Sequence, residues 1–121
     1  MSYYFDIIGN MEIKVASAAF DALSQPVRLA IYRLLVAEGP AGMSAGHIGE
    51  RLALAPATLS FHLASLHRAG LLHRRREGRC LIYSANFGRM QALVDFLTEN
   101  CCQGDPDACR IESLPREERR R

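Results

Sequence analysis

Apolar residues recur at helical spacing through most of the chain, and the breaks between these runs divide it into short segments. From Glu12 to Leu23, EIKVASAAFDAL repeats Val15, Ala19, Ala22 and Leu23 with Phe20 beside them, which predicts an amphipathic helix. Ser24-Gln25-Pro26 reads as the next helix start, with serine as N-cap and a proline in the first turn, where no helical hydrogen bond is lost. Pro26–Ala37 then carries Leu29, Ile31, Leu34, Leu35 and Val36, most of them on one face, before Gly39-Pro40-Ala41-Gly42 ends it. Ser44 opens a short helix reaching Leu54, with Ile48 and Leu52 inward. Ala55-Pro56 breaks that helix, and Pro56 fits the first turn of another, PATLSFHLASLHRA. Leu59, Leu63 and Leu66 form its apolar stripe, and Gly70 suits the position just past its end. Two short helices joined by a tight turn make a helix-turn-helix.

The period then changes. In LLHRRREGRCLIYSA, Glu77-Gly78 separates an arginine-rich stretch from Leu-Ile-Tyr, the pattern of a β-hairpin with arginines near its tip. Asn86 then caps FGRMQALVDFLTEN, where Phe87, Met90, Leu93, Val94 and Leu97 share a helical face. The predicted fold is mainly α with a β-hairpin wing, a winged helix-turn-helix. It divides into residues 1–11 without a clear period, a domain over 12–100, a cysteine-containing segment over 101–110, and a charged tail over 111–121 expected to be disordered.

Composition narrows the class. The 121 residues suit one domain, and no apolar run approaches the eighteen or so residues that span a membrane. The start, MSYYFDIIGN, lacks the basic region of a secretory signal, so the expectation is a cytoplasmic protein with reduced thiols and no membrane partner. The net charge is only +2, but it is unevenly spread. Residues 1–60 hold four Lys or Arg against five Asp or Glu, and residues 61–121 hold eleven against eight. Arg68, Arg74, Arg75, Arg76 and Arg79 crowd one stretch with a single acid, Glu77, which points to an anionic partner.

The predicted elements locate that charge. It starts at the end of the second helix of the helix-turn-helix and covers the wing, the two parts that meet DNA in such folds. With Leu59, Leu63 and Leu66 facing the core, Thr58, Ser60, Phe61, His62 and Ser65 are candidates for DNA contact. Arg74, Arg75, Arg76 and Arg79 are candidates for phosphates. Each has an ordinary alternative: hydroxyls on an exposed helix are commonly just solvated, and His62 could be a buried polar residue.

The runs ALSQPVRLAIYRLL (22–35), LALAPATLSFHLASLHRAGLL (52–72) and RRREGRCLIYSA (74–85) resemble the ArsR/SmtB family of metal-sensing winged-helix repressors. The resemblance covers roughly residues 12–102. It implies a homodimer joined through the first and last helices, operator binding without inducer, and release of DNA on binding an inducer ion. The apolar faces of 12–23 and 87–97 support a dimer independently, being more than so small a domain would bury alone, and two-fold symmetry expects a near-palindromic operator.

Departures from the family indicate the inducer. Many members carry a cysteine motif in the first helix of the helix-turn-helix, where this chain has SAGHIGERLAL. Zinc-responsive members use Asp and His on the last helix, where this chain offers Asp95 and Glu99 without a histidine. Three of its four cysteines instead lie in ENCCQGDPDACR, similar to arsenic-responsive members with ligands after the last helix. Soft thiolates select soft acceptors, and a structural zinc site wants four ligands. Cys101, Cys102 and Cys109 offer three, the count that suits pyramidal As(III) or Sb(III), with Gly104 and Pro106 letting the chain turn back. No organic cofactor is expected. Enzyme chemistry is disfavoured, because a helix C-terminus does not lower a thiol's pKa and no histidine lies nearby. A thiol-redox repressor is the alternative, with Cys109 pairing with either neighbour on oxidation. A winged-helix interaction module that does not bind DNA is a further one. Cys80 reads as a small strand residue.

Overall fold

The computed structural model describes residues 11–105 and 107. The elements run α1 (Ile13–Leu23), α2 (Pro26–Glu38), β1 (Met43–Ser44), α3 (Ala45–Leu52), α4 (Pro56–Arg68), β2 (Leu72–Glu77), β3 (Cys80–Ala85) and α5 (Phe87–Thr98), followed by a 3₁₀ turn over Cys101–Gly104. This is the predicted winged helix-turn-helix. The readings of residues 1–10, and of the tail as disordered, concern residues outside those described.

The core lies where α1, α2, α3 and α4 meet the sheet. Ile31, Leu35, Ile48, Leu63, Leu66, Leu71 and Leu93 are its largest fully buried side chains. The stripe Leu59, Leu63 and Leu66 is buried as expected. α1 reaches the core through small residues, Ala16, Ala19 and Ala22, so its backbone packs closely on its neighbours while Ile13, Val15 and Phe20 stay exposed. α5 is similar: only Leu93 is buried, Met90, Ala92 and Phe96 are partly covered, and Phe87, Val94 and Leu97 face outward. The single apolar face expected for the last helix is thus two adjacent faces, one packed and one without a partner in the protomer.

Local chemistry explains the helix ends and corrects one of them. Gln25, not Ser24, caps α2: its Oε1 accepts from the Arg28 N–H at 2.9 Å. Ser24 belongs to the end of α1, where its hydroxyl donates to the Asp21 carbonyl at 2.8 Å. Ser44 accepts from the His47 N–H to start α3, and Asn86 accepts from the Arg89 N–H at 3.0 Å to start α5. Pro56 occupies the first turn of α4. Tyr32 is buried on α2 with its hydroxyl unpartnered, and desolvation raises its pKa above the ordinary phenol value.

The sheet holds three antiparallel strands in the order β1-β3-β2, one more than the hairpin expected from sequence. Met43 and Ser44 pair with Tyr83 and Ile82, tying the start of α3 to the wing. Gly42 makes this approach possible: at φ +74° it lies against the Tyr83 carbonyl, with no room for a Cβ. In the hairpin, Glu77 pairs with Cys80, so the two-residue loop is Gly78-Arg79, one position beyond the predicted tip. Gly78 has φ +61° and Arg79 is not in the positive-φ region, matching a turn that needs glycine first.

Candidate DNA interface and thiol site

α3 and α4 form the helix-turn-helix, with a left-handed Ala53 in the turn (φ 54°). Because Leu59, Leu63 and Leu66 anchor one face of α4, Ala57, Thr58, Ser60 and Phe61 stand exposed on the other. Ser65 is half-buried, and its Oγ accepts from Arg68 Nη2 at 3.4 Å. His62 needs correction as a DNA-contacting candidate. It is buried to 8% exposure on the leucine face, one helical turn from Leu59 and Leu66, and its Nδ1 has no hydrogen-bond partner. On the helical wheel position 62 lies beside Leu66, at the edge of the leucine stripe, and the packing of α4 closes over it.

The wing arginines are all exposed, yet they are not equivalent. Alternation along β2 sends Arg74 and Arg76 to one face and Arg75 to the other. Arg75 is held locally. Its Nε bonds Glu77 Oε2 at 2.8 Å, and its Nη2 donates to the Ala41 carbonyl at 2.9 Å. It braces the wing against the loop before β1 and has its charge offset by Glu77. Arg74, Arg76 and the loop residue Arg79 are left to give the wing its positive field.

A helix-turn-helix domain family matches residues 23–75. YceK, an uncharacterized HTH-type transcriptional regulator of Bacillus subtilis, is 34% identical over 79 residues, covering 65% of this chain and 78% of the relative. The transcriptional repressor SdpR of the same organism is 31% identical over 88 residues, covering 73% of this chain and 94% of the relative. Among solved structures, an ArsR-like transcriptional regulator from Rhodococcus sp. RHA1 superposes with TM-score 0.62 at 27% identity, covering 69% and 76% of the two chains. The chain belongs to the helix-turn-helix transcriptional regulators, and its fold neighbours include ArsR-like winged-helix proteins. HlyU from Vibrio cholerae is similar at 30% identity and TM-score 0.59, over 74% of this chain and 95% of its own. Regulators of this kind bind DNA through the helix-turn-helix, and the relatives are named as regulators, not enzymes. Among the described residues, no helix is long and apolar enough to cross a membrane.

In this regulator the thiol segment begins where α5 ends. Glu99 turns extended, and the backbone then enters a left-handed turn in which Asn100 (φ 59°), Cys102 (φ 54°) and Gln103 (φ 58°) all have positive φ. Backbone bonds from Gln103 N–H to the Asn100 carbonyl (3.0 Å) and from Asp105 N–H to the Cys102 carbonyl (3.1 Å) hold it. Such conformations are costly for residues with a Cβ and gather at functional sites. Here the result is specific: the Cys101 and Cys102 sulfurs are 3.5 Å apart. In a strand, neighbouring side chains would point to opposite faces. Cys101 is half-buried and Cys102 exposed. Cys109, the third predicted ligand, lies outside the described residues, as does Pro106. Among the described residues no three or more His, Cys, Asp or Glu gather as a metal site. Cys80 is exposed in the wing, opposite Glu77.

Asn86 connects the two ends of this arrangement. Besides capping α5, its side-chain N–H₂ donates to the Gly70 carbonyl at 3.0 Å and its backbone N–H donates to the Leu71 carbonyl at 2.8 Å. Gly70 and Leu71 follow α4, so the start of the helix that leads to the cysteine turn is tied to the end of the recognition helix. The sequence marked Asn86 as a cap. It gave no sign of the second role, which depends on a contact sixteen residues away.

Proposed function

We propose that the chain is a homodimeric transcriptional repressor that binds a near-palindromic operator and releases it when As(III) or Sb(III) binds the thiolates of Cys101, Cys102 and Cys109. The observation that carries the reading is the 3.5 Å approach of the two adjacent sulfurs at the end of α5. Metal–sulfur bonds of about 2.3 Å place two sulfurs on one soft ion roughly 3–4 Å apart, so this pair needs little rearrangement to share one. The exposed apolar faces of α1 and α5 supply the surface for the dimer, and the fold neighbour Mb0332 from Mycobacterium bovis is described as homodimeric.

The mechanism follows from the connections. Drawing Cys109 onto Cys101 and Cys102 reshapes the C-terminal end of α5. Through Asn86, a shift of α5 reaches Gly70 and Leu71 and thereby the end of α4. Two recognition helices must keep half-site spacing to bind together, so a small reorientation lowers the population of the binding form. A coupling of about 1–3 kcal/mol, or about 5–150-fold in affinity, is typical of such switches.

The test is arsenite titration of the chain bound to a labelled operator under full reductant. Arsenite should release the DNA, and the triple Cys→Ser variant at 101, 102 and 109 should bind the operator normally while ignoring arsenite. Release from the triple variant removes the site assignment. The same sulfur pair favours a second reading, a thiol-redox repressor, and a fold neighbour is described as reduced HlyU. Peroxide releasing the DNA while arsenite under reductant leaves it bound would select that reading.

The wing carries its own prediction. Arg76→Ala should weaken operator and unrelated DNA alike, and reduce the slope of log affinity against log salt by about 1 per protomer. Arg75→Ala should change that slope less, because Glu77 already offsets its charge. Salt titrations by fluorescence anisotropy compare the two, and equal slope changes would refute the distinction.

A further inference from the structure

The outward face of α4 has an unusual make-up for a helix that reads DNA. The residues three and four positions from Phe61 are Ala57, Thr58, Ala64 and Ser65, all short. Between Pro56 and His67 there is no Arg, Lys, Asn or Gln, the side chains that read guanine or adenine with paired hydrogen bonds. Thr58 and Ser60 hydroxyls can both donate and accept, so they discriminate poorly. Phe61 alone projects well beyond this face, and it is 60% exposed.

Its exposure is not part of a wider apolar surface. The other exposed large apolar residues among those described lie on α1, α2 and α5, while its own surroundings on α4 are small or hydroxylated. Its ring also has a fixed support. It meets the His62 ring edge-on, with centroids 5.4 Å apart and planes at 68°, and His62 is itself buried. A large apolar side chain on a buried base, ringed by short residues, is suited to a major groove only where the base edge is apolar. The 5-methyl of thymine is the apolar group displayed there.

Resting on the DNA-binding reading above, we infer that Phe61 is the base-specifying residue of the recognition helix, packing on a thymine methyl in each operator half-site. The wing supplies affinity without sequence preference. The specificity of α4 comes from this apolar contact, with the hydroxyls of Thr58 and Ser60 fixing its position.

The experiment begins with selection of an operator from random duplexes by the full chain. Each thymine of the selected site is then replaced by deoxyuridine, which removes only the 5-methyl group. One thymine per half-site should be sensitive, with about a fourfold loss of affinity per methyl and about tenfold or more when both half-sites are changed. Phe61→Ser should bind the thymine operator more weakly and the deoxyuridine operator equally weakly, and Phe61→Leu should recover part of the sensitivity. Thermal unfolding of both variants should match the parent, since the side chain is exposed. Deoxyuridine without effect at every position, sensitivity that persists in Phe61→Ser, or an operator with no thymine in its contacted pairs would overturn the inference alone. A chain that selects no duplex overturns the DNA-binding reading and this inference with it.

Discussion

Leu97→Glu is expected to sediment as a monomer at concentrations where the parent chain is a dimer, and to lose operator affinity by about a hundredfold or more. Leu97 is the most exposed large apolar residue described, at 64%, and Val94 and Phe87 continue its face along α5. Ile13 and Phe20, seven residues apart on one side of α1, form the matching exposed pair. Covering a leucine side chain contributes about 1.5–3 kcal/mol, and two-fold symmetry removes that contribution twice, for about 3–6 kcal/mol. The dissociation constant of the dimer then rises by about two to four powers of ten. A carboxylate on this face adds a desolvation cost in the same direction. The protomer itself should fold, because Leu97 takes no part in its core. A monomer reaches one half-site, so the salt dependence of binding should fall to about half. Sedimentation velocity, circular dichroism and operator titration read the three effects. A variant that folds and stays dimeric places the subunit interface elsewhere, and a monomer with full operator affinity removes the need for a dimer.

Parts of this protein could be read from sequence because short-range rules decide them. Pro56 in the first turn of α4, Asn86 capping α5 and the stripe Leu59, Leu63 and Leu66 each depend on residues within one or two helical turns. Other features depend on where distant segments lie. Ser24 and Gln25 are both good capping residues, and the choice between them follows from where α1 ends. β1 is two residues long, too short for an alternating pattern, and exists because Tyr83 and Ile82 pass beside it. His62 looked like a surface residue by type, and the packing of α4 buries it. The special status of Arg75 needs the Ala41 carbonyl, thirty-four residues away. At the thiol site, the count and grouping of the cysteines were plain in the sequence. The left-handed turn that sets two sulfurs together was not, since Asn100, Cys102 and Gln103 carry no residue-type signal for it beyond asparagine.

Gly42→Ala should destabilise the protein by about 2–5 kcal/mol, the largest stability loss expected from adding one methyl group. The residue has φ +74°, where a side chain costs roughly 1–2 kcal/mol. An added Cβ would also run into the Tyr83 carbonyl oxygen and sit 3.1 Å from the Ser84 Cβ. The backbone would have to move, and forced overpacking adds about 1–3 kcal/mol. The affected place matters for function. Met43 and Ser44 pair with β3 directly after Gly42, Ser44 caps α3, and the neighbouring Ala41 carbonyl receives Arg75. Displacing this loop therefore loosens the wing from the helix-turn-helix, so operator affinity should fall even at temperatures where the variant remains folded. Gly46→Ala is the matched control. Nothing lies within 4 Å of the Cβ it adds inside α3, and replacing a helical glycine by alanine should stabilise by about 0.5–1 kcal/mol. Urea denaturation of the two variants should move in opposite directions from the parent. If Gly42→Ala unfolds at the parent midpoint, the close approach of β1 to β3 does not hold the wing in place, and the coupling from Arg75 through Ala41 to α3 fails with it.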